Sequence, residues 1–443
     1  MMLHRLAALA PVLIVLLAAL PARAVTVERV VSPKGIEAWL VQDHTNPIIA
    51  LNAAFRGGAA TDPAGKAGLA NMVSGLLDEG AGPYDSQAFQ GRLEDLAIGL
   101  SFDAGRDTFR GHLKTLTDNR DTAFEMFRLA LTEPRFDKEP VERIRSQIQT
   151  ILKRELQNPN TVAAREWNRL AFGGHPYASP VNGTPETVAK LSVSDLRGWT
   201  RKHLARDNLV IGVVGDITPE QLGPLLDKTF GGLPATAAKV EVPFTAPKAP
   251  GRTVVVERDN PQSVAMFGEG GIKREDPDWY AAYVMNYILG GGGFSSRLTE
   301  EVREKRGLAY SVYSYLMPMD HAAVVVGGVA TQNSRLAESL GIIKEEWRRM
   351  RDEGPTPEEL ADAKTYLTGS FPLQLDSTAS IAGLLVAMQL DDLGIDYLDK
   401  RNGYIEAVTL EDVNRVAKRL LDPARLTTVV VGKPDGVQAS AVQ

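Results

Sequence analysis

Two patterns of apolar residues run along this chain. In short segments bounded by glycine or proline, apolar residues alternate with polar ones, as in strands. In longer segments they lie three and four positions apart, as on one face of a helix. In the first half this predicts strands at 36–40 and 48–55, a helix at 68–77, a hairpin at 100–113 and helices at 119–131, 141–157 and 163–170. Because strands and helices come in separate runs, we expect an α+β fold with helices on one face of a mostly antiparallel sheet.

The pattern repeats once along the chain. Three features recur at a spacing of 217 positions: Asp195 and Asp412 (412 − 195), Gly215 and Gly432 (432 − 215), and Pro140 and Pro357 (357 − 140). An upstream glycine pair recurs at 213 (270 − 57), which one short insertion or deletion explains. Matched features in the same order predict two duplicated domains.

The domain boundaries follow from the repeat. We place the N-terminal domain at residues 25–240 and the C-terminal domain at 252–435. Residues 241–251 are rich in proline and alanine, which predicts an extended, semi-rigid linker. Residues 436–443 are expected to form a frayed tail.

Composition excludes several classes of function. The chain has 443 residues and a net charge of −6, so it lacks the basic excess typical of nucleic-acid binding. It has no cysteine, which excludes disulfides and thiolate metal sites.

The first 24 residues have the pattern of a signal peptide. His4 and Arg5 precede an apolar run at 6–20, and Ala22 and Ala24 frame a cleavage site. A retained membrane anchor is the alternative, but the run is shorter than the roughly 20 residues that a spanning helix needs. We therefore expect a periplasmic protein with no membrane span after cleavage.

The stretch from Gly290 to Ser314 carries the candidate chemistry. Four glycines, Gly290, Gly291, Gly292 and Gly293, open it. A helical run follows with Phe294, Leu298 and Val302 spaced by four, and Gly307 precedes a predicted strand. This order predicts that Arg303, near the end of the helix, and Tyr310, on the strand, lie close together, where a guanidinium and a phenol can hydrogen-bond a carbonyl oxygen or an oxyanion. An ordinary helix–turn–strand packing unit is the alternative.

This order of glycines, Ser-Arg-Leu, Arg303 and Tyr310 resembles the C-terminal half of the pitrilysin/insulinase zinc peptidases. The resemblance covers nearly the whole mature chain. It implies two halves that face each other across a chamber, and an Arg/Tyr pair that binds substrate beside a zinc ion carried by an HxxEH motif.

The segment that matches that motif lacks its chemistry. Asn71 and Gly75 stand where the two zinc-binding histidines belong, and Ser74 stands where the glutamate base belongs. Asparagine is a poor zinc ligand, glycine has no side chain, and serine is too weak a base. Glu155 is the counterpart of the later glutamate ligand, and we expect it to form an ion pair instead. No two of the six histidines lie three or four apart, so we predict no metal in this chain.

The resemblance implies a division of labour between subunits. We expect this chain to be the substrate-binding, non-zinc subunit of a heterodimeric metallopeptidase. It would be inactive alone and would supply Arg303 and Tyr310 to an HxxEH-bearing partner that holds the zinc, with Gly290 to Gly293 letting the substrate backbone approach. Peptides or unfolded segments would be the substrates. The alternative is a non-enzymatic periplasmic peptide-binding or scaffold protein.

Overall fold

Each half of the chain forms one six-stranded sheet. The computed structural model describes residues 25–248 and 250–442, so the expected signal peptide lies outside the described residues. The first sheet contains β1 (Glu28–Val31), β2 (Glu37–Gln42), β3 (Ile48–Arg56), β4 (Gly99–Ala104), β5 (Thr108–Leu116) and β6 (Leu209–Gly215). The second contains β7 (Thr253–Glu257), β8 (Gln262–Gly270), β9 (Ala309–Met319), β10 (Ala322–Gln332), β11 (Thr427–Gly432) and β12 (Ala441–Val442).

The two sheets share one topology over five of their six strands. The order β2-β6-β3-β5-β4 in the first sheet corresponds to β7-β11-β8-β10-β9 in the second. The outermost strands differ, because β1 begins the first half and is antiparallel to β2, whereas β12 ends the second half and is parallel to β7. Pairing is antiparallel except for β2 with β6, β7 with β11 and β7 with β12. The predicted α+β class, with a duplicated and mostly antiparallel sheet, is confirmed.

Helices fill the connections between the strands. The N-terminal half contains α1 (Leu69–Ser74), α2 (Ser86–Asp95), α3 (Arg120–Thr132), α4 (Lys138–Glu155), α5 (Pro159–Phe172), α6 (Pro185–Lys190), α7 (Val193–His203) and α8 (Pro219–Phe230). The C-terminal half contains α9 (Trp279–Asn286), α10 (Leu336–Asp352), α11 (Pro357–Gly369), α12 (Thr378–Leu390), α13 (Tyr397–Glu406) and α14 (Leu410–Leu420). The predicted strands and long helices agree with these bounds to within a few residues.

Each half has its own apolar core between the inner sheet face and its helices. In the N-terminal half Phe109, Phe124 and Phe127 are buried there, and in the C-terminal half Phe267 and Trp347 pack edge to face. Burial of aromatic side chains of this size dominates the stability of such a core.

The outer sheet faces are covered by helices that the halves exchange. Helix α5 of the first half packs on β8 and β11, and α12 of the second half packs on β3 and β6. Trp167 donates a hydrogen bond to the Thr427 carbonyl (3.1 Å), and Gln389 donates one to the Ile211 carbonyl (2.9 Å). The expectation of helices on one face therefore holds within each half, but the other half supplies a helix to the second face. Where α5 and α12 pack, the halves are in direct contact rather than separated by a chamber.

The linker and the tail differ from their predictions. The described linker residues, 241–248 and 250–251, form no helix or strand, yet Val242 is buried and the Pro243 carbonyl accepts a hydrogen bond from His175 (2.8 Å). The tail returns to the second sheet, where Ala441 pairs with Val254 on β7. Both segments are held by contacts with residues far away in the chain, which composition does not reveal.

Among the described residues no single helix has both the length and the apolar character to cross a membrane. A pair bent by 118°, residues 357–374 with α12, passes the same test by length and composition only.

Candidate functional site

A turn after a short helical segment brings Arg303 and Tyr310 together. Residues Thr299–Glu304 form a π-helical turn, and Arg303 lies near its end. Gly307 ends it with a φ of +59°, and its N–H donates to the Arg303 carbonyl (2.8 Å). A left-handed φ of this kind suits glycine because it has no Cβ to clash. The chain then enters β9, which carries Tyr310.

A β-bulge points Tyr310 into solvent. Ala309 pairs with Thr331 and Ser311 pairs with Ala330, so Tyr310 is an extra residue on β9. Regular alternation along a strand would place Tyr310 on the same face as Leu308 and Val312, which are both buried, but Tyr310 is 82% exposed. A bulge re-aims a side chain in this way, and bulges are frequent beside active sites.

Arg303 is stacked between two aromatic rings. Its guanidinium carbon lies 4.8 Å from the centre of the Tyr310 ring and 4.6 Å from that of Phe294. Its Nε is also 3.3 Å from a carboxylate oxygen of Glu304. The rings restrain the guanidinium through cation–π attraction. Within the described part of the chain, neither the Arg303 guanidinium nor the Tyr310 hydroxyl forms a hydrogen bond that meets standard geometry, so both retain donors for a ligand.

Phe294 is the site residue that the sequence analysis missed. Its spacing to Leu298 and Val302 predicted that it is buried on the same helix face. The side chains of Leu298 and Val302 are indeed buried. Phe294 instead precedes the helical segment, in a short turn at Gly293–Ser295, and is 70% exposed. The position of this phenylalanine directly after four glycines was the available sequence signal.

The glycines beside the pair are mainly needed for internal packing. A Cβ on Gly290 would lie 2.7 Å from the Ser314 backbone nitrogen of β9, and one on Gly291 would lie 2.7 Å from the Asn286 amide. A Cβ on Gly292 would lie 2.8 Å from the Tyr287 carbonyl oxygen. Gly293 has open space around it and a φ of +57°. Of the four expected substrate-facing glycines, this geometry leaves room for a ligand backbone at Gly293.

Arg297, six residues before Arg303, has a structural role. It is buried, and its Nε and Nη2 donate to both carboxylate oxygens of Glu359 on α11 (2.6 and 2.7 Å). Its Nη2 also donates to the Gly354 carbonyl (2.8 Å). This bidentate pair anchors the segment that carries Arg303 to α11.

The degenerate zinc-site positions lie on and just after α1. Ser74 donates its hydroxyl proton to the Asn71 carbonyl (2.9 Å), so it bonds to its own helix. A Cβ on Gly75 would lie 3.3 Å from a methyl carbon of Ile144 on α4. Gly75, at the position of the second zinc-binding histidine, therefore faces an apolar side chain.

Glu155, the last residue of α4, already has two polar partners. Its carboxylate pairs with Arg165 of α5 (2.5 Å) and accepts a hydrogen bond from Asn182 (2.7 Å). The expected ion pair is present, and it lies within the first half.

A different group has the spacing of metal ligands. Ligand atoms of Asp107, Asp320 and His321 all lie within 4.8 Å of one another where the β4–β5 and β9–β10 turns meet. The Asp107 carboxylate already accepts a hydrogen bond from the Tyr177 hydroxyl (2.7 Å). Burial, together with the neighbouring Asp107 carboxylate, raises the pKa of Asp320. No sequence pattern pointed to this group, because its members come from different halves of the chain.

Two duplicated α+β domains, an altered HxxEH segment in the first and an Arg/Tyr pair at the surface of the second are the features expected from the resemblance to the pitrilysin-type peptidases. The comparisons agree. Residues 190–367 match the family model described as "Peptidase M16 inactive domain". The non-peptidase homolog YmxG of Helicobacter pylori is 27% identical over 391 residues, which cover 88% of this chain and 90% of that protein. An uncharacterized zinc protease of Streptomyces coelicolor is 32% identical over 61% of this chain and 60% of its own length.

Solved structures match over nearly the whole chain. The crystal structure of a peptidase M16 inactive domain from Pseudomonas fluorescens has a TM-score of 0.86 and 28% identity, and it covers 94% of this chain and 100% of its own. The chain is thus similar to the peptidase M16 (pitrilysin) family over nearly its whole length, and its relatives include a protein named as a non-peptidase homologue.

Proposed function

We propose that this chain is the substrate-binding subunit of a heterodimeric, periplasmic zinc peptidase. The observation that carries the proposal is the state of Arg303 and Tyr310. Both are held together at the surface with hydrogen-bond donors unused by the described residues. The segment equivalent to the zinc motif carries Asn71, Ser74 and Gly75 instead of ligands and a base. Substrate recognition is thus retained in a chain that lacks the hydrolytic residues.

The partner is expected to be a second family subunit with an intact HxxEH motif. Its zinc would activate the water that attacks the peptide bond. Residues of the present chain would then act on the substrate in trans. The exposure of Tyr310 supports this arrangement because a side chain that serves another subunit must be reachable from outside its own fold.

Tyr310 and Arg303 have separate parts in this mechanism. The Tyr310 hydroxyl would donate a hydrogen bond to the oxyanion that develops on the attacked carbonyl. Arg303, restrained between Phe294 and Tyr310, would bind a neighbouring carbonyl of the extended substrate. Restraint before binding lowers the entropy lost when the substrate is fixed. Peptides or unfolded segments are the substrates that this backbone-directed recognition suits.

The decisive experiment is isolation of the chain with its native partners. A tagged, full-length copy is expressed in its own cells, purified from the periplasmic fraction and analysed by mass spectrometry. We expect a stoichiometric partner of similar length with an intact HxxEH motif, and zinc-dependent peptidase activity in the complex. Purification of the chain alone, or with unrelated envelope proteins, would contradict the proposal and favour the peptide-binding or scaffold alternative.

A further inference from the structure

A cavity with two arginines opens beside the Arg303–Tyr310 pair. Its volume is about 490 Å³. Arg303, Arg335, Gln262 and Gln332 supply its charged and amide side chains, and no carboxylate is among its lining residues. The chain as a whole has a net charge of −6, so this positively charged cavity is opposite in sign to the protein as a whole.

Both arginines are tied to the same turn. The Gly307 N–H donates to the Arg303 carbonyl (2.8 Å), and Arg335 donates from Nη1 to the Gly307 carbonyl (2.9 Å). Because Gly307 bonds to both residues, Arg335 stays beside the turn that positions Arg303. Its remaining guanidinium protons form no hydrogen bond with the described residues.

The two glutamines complete a set of donors. Gln332 and Gln262 are cross-strand partners at adjacent ends of β10 and β8, and both are exposed. The planar guanidinium group binds carboxylates with two parallel hydrogen bonds, and side-chain amides add neutral donors. Glu304 offsets part of the charge of Arg303, but it is not among the cavity-lining residues. Of the two arginines, Arg335 is therefore better placed to determine which ligand binds in the cavity.

We propose that this cavity binds a carboxylate of the peptide substrate, and that Arg335 determines this preference. The carboxylate would belong to an aspartate or glutamate side chain or to the C-terminus of the peptide. The inference rests on the proposed function, since it specifies what the Arg303–Tyr310 site binds. It does not require a known partner for its test.

The test measures peptide binding to the full mature chain by fluorescence anisotropy. Three peptides share one sequence: one with an internal glutamate and an amidated C-terminus, one with glutamine there and an amidated C-terminus, and one with glutamine and a free C-terminal carboxylate. We expect at least one carboxylate peptide to bind about fivefold more tightly than the neutral one, a size typical of partly exposed ion pairs. The peptide that binds more tightly shows whether the recognised carboxylate is that of an acidic side chain or that of the C-terminus.

Arg335→Gln should abolish this difference, and Arg335→Lys should retain part of it. Lys344→Gln is the matched control, because Lys344 is an exposed cation on the neighbouring helix α10 and does not line the cavity. Circular dichroism and thermal melting confirm that each variant is folded. Equal affinity for all three peptides, no binding of any peptide, or an equal loss in the Lys344→Gln variant would overturn the inference. Carboxylate selectivity in a chain that purifies without an HxxEH partner would instead contradict only the proposed catalytic complex.

Discussion

At the residue scale, two arginines six positions apart have opposite environments. Arg297 is buried and forms a bidentate ion pair with Glu359, so its charge holds two elements together. Arg303 lies at the surface between Phe294 and Tyr310. The same residue type thus serves folding in one place and is available to a ligand in the other, and three-dimensional contacts decide which.

Tyr310→Phe tests the phenol directly. The change removes one hydroxyl and keeps the ring that contacts Arg303. In the assembled peptidase we expect turnover to fall by about 10²–10³, as when one oxyanion donor is lost. Steady-state kinetics measure the loss, and size-exclusion chromatography shows whether the complex still forms. Unchanged turnover in an intact complex would exclude the oxyanion role.

Phe294→Ala tests the second ring. An exposed cation–π contact contributes about 0.5–1 kcal/mol, so we expect the kcat/KM of the assembled peptidase to fall about two- to fivefold. Phe294→Tyr, which keeps an aromatic ring, should retain the original kcat/KM. In the isolated chain, NMR should show a faster-moving Arg303 side chain. Leu373→Ala removes an equally exposed apolar side chain of the same half and is the control. If the control loses as much activity, exposed apolar area rather than stacking is responsible.

The burial of His203 leads us to predict that the folded chain loses stability in acid. His203 is the last residue of α7 and is buried against Trp199, and burial lowers its pKa from 6.5 to about 4. The unfolded chain therefore binds a proton between pH 6.5 and 4 that the folded chain does not. The free energy of unfolding should fall by up to about 3 kcal/mol as the pH drops through this window.

Replacement of this histidine provides the check. His203→Phe retains an aromatic ring beside Trp199 and removes the titrating group. Urea unfolding at pH 6.5 and pH 4 should show a smaller decrease in stability for the variant than for the original chain. Equal decreases would mean that other groups cause the acid sensitivity.

At the scale of the element, the glycine-rich segment packs against the edge strand β9. Asn286 donates to the Ser314 carbonyl (3.2 Å), and the Ser314 hydroxyl donates back to the Asn286 side chain (2.8 Å). Gly290 allows this approach because any Cβ there would meet the backbone of Ser314. The segment thereby covers part of an otherwise unpaired sheet edge, which would invite pairing with other chains.

Gly290→Ala should disturb this contact. Backbone atoms cannot move aside as a flexible side chain can, so we expect a loss of about 1–3 kcal/mol in the free energy of unfolding. Gly341→Ala is the control, since a Cβ there has open space on helix α10 and should stabilise the helix by about 0.5–1 kcal/mol. Chemical denaturation measures both. A neutral Gly290→Ala variant would show that the segment can shift away from β9.

At the scale of the whole molecule, the halves are joined by exchanged helices. Helix α12 approaches β6 closely at Gly212, where a Cβ would lie 2.6 Å from the Ala382 carbonyl oxygen. Arg56 donates to the carbonyls of Gln389 and Leu390 at the end of α12 (2.9 and 2.7 Å). Such direct contact makes the relative position of the halves a property of the fold, and with it the position of the Arg/Tyr site.

Gly212→Ala should loosen the junction. We expect α12 to be displaced from the first sheet, with earlier tryptic cleavage near α12 and a thermal transition that broadens or divides in two. Gly223→Ala on α8 is the control because its nearest neighbour lies 3.8 Å away. If Gly212→Ala melts and digests like the original chain, the close approach at this position contributes little to holding the halves together.

Some features of this protein follow from local order along the chain. Periodicity located most of the strands and the long helices, because burial on one face imposes a repeat of two or 3.6 residues. The 217-residue spacing revealed the duplication that both sheets display. The substitutions at Asn71, Ser74 and Gly75 identified an altered zinc motif, because the chemistry of a ligand resides in its side chain.

Other features required the tertiary structure. The bulge at Tyr310 depends on how β9 pairs with β10, and the stacking of Phe294 on Arg303 depends on a turn with no periodic signal. The partners of Glu155, Arg165 on α5 and Asn182, likewise became evident only from the fold. The sequence by itself determined the repeated elements and the loss of the zinc motif, whereas tertiary contacts decided the exchange of α5 and α12 and the exposure of the Arg/Tyr pair. Long-range packing between residues far apart in the chain leaves no local pattern, and it is this packing that built the site.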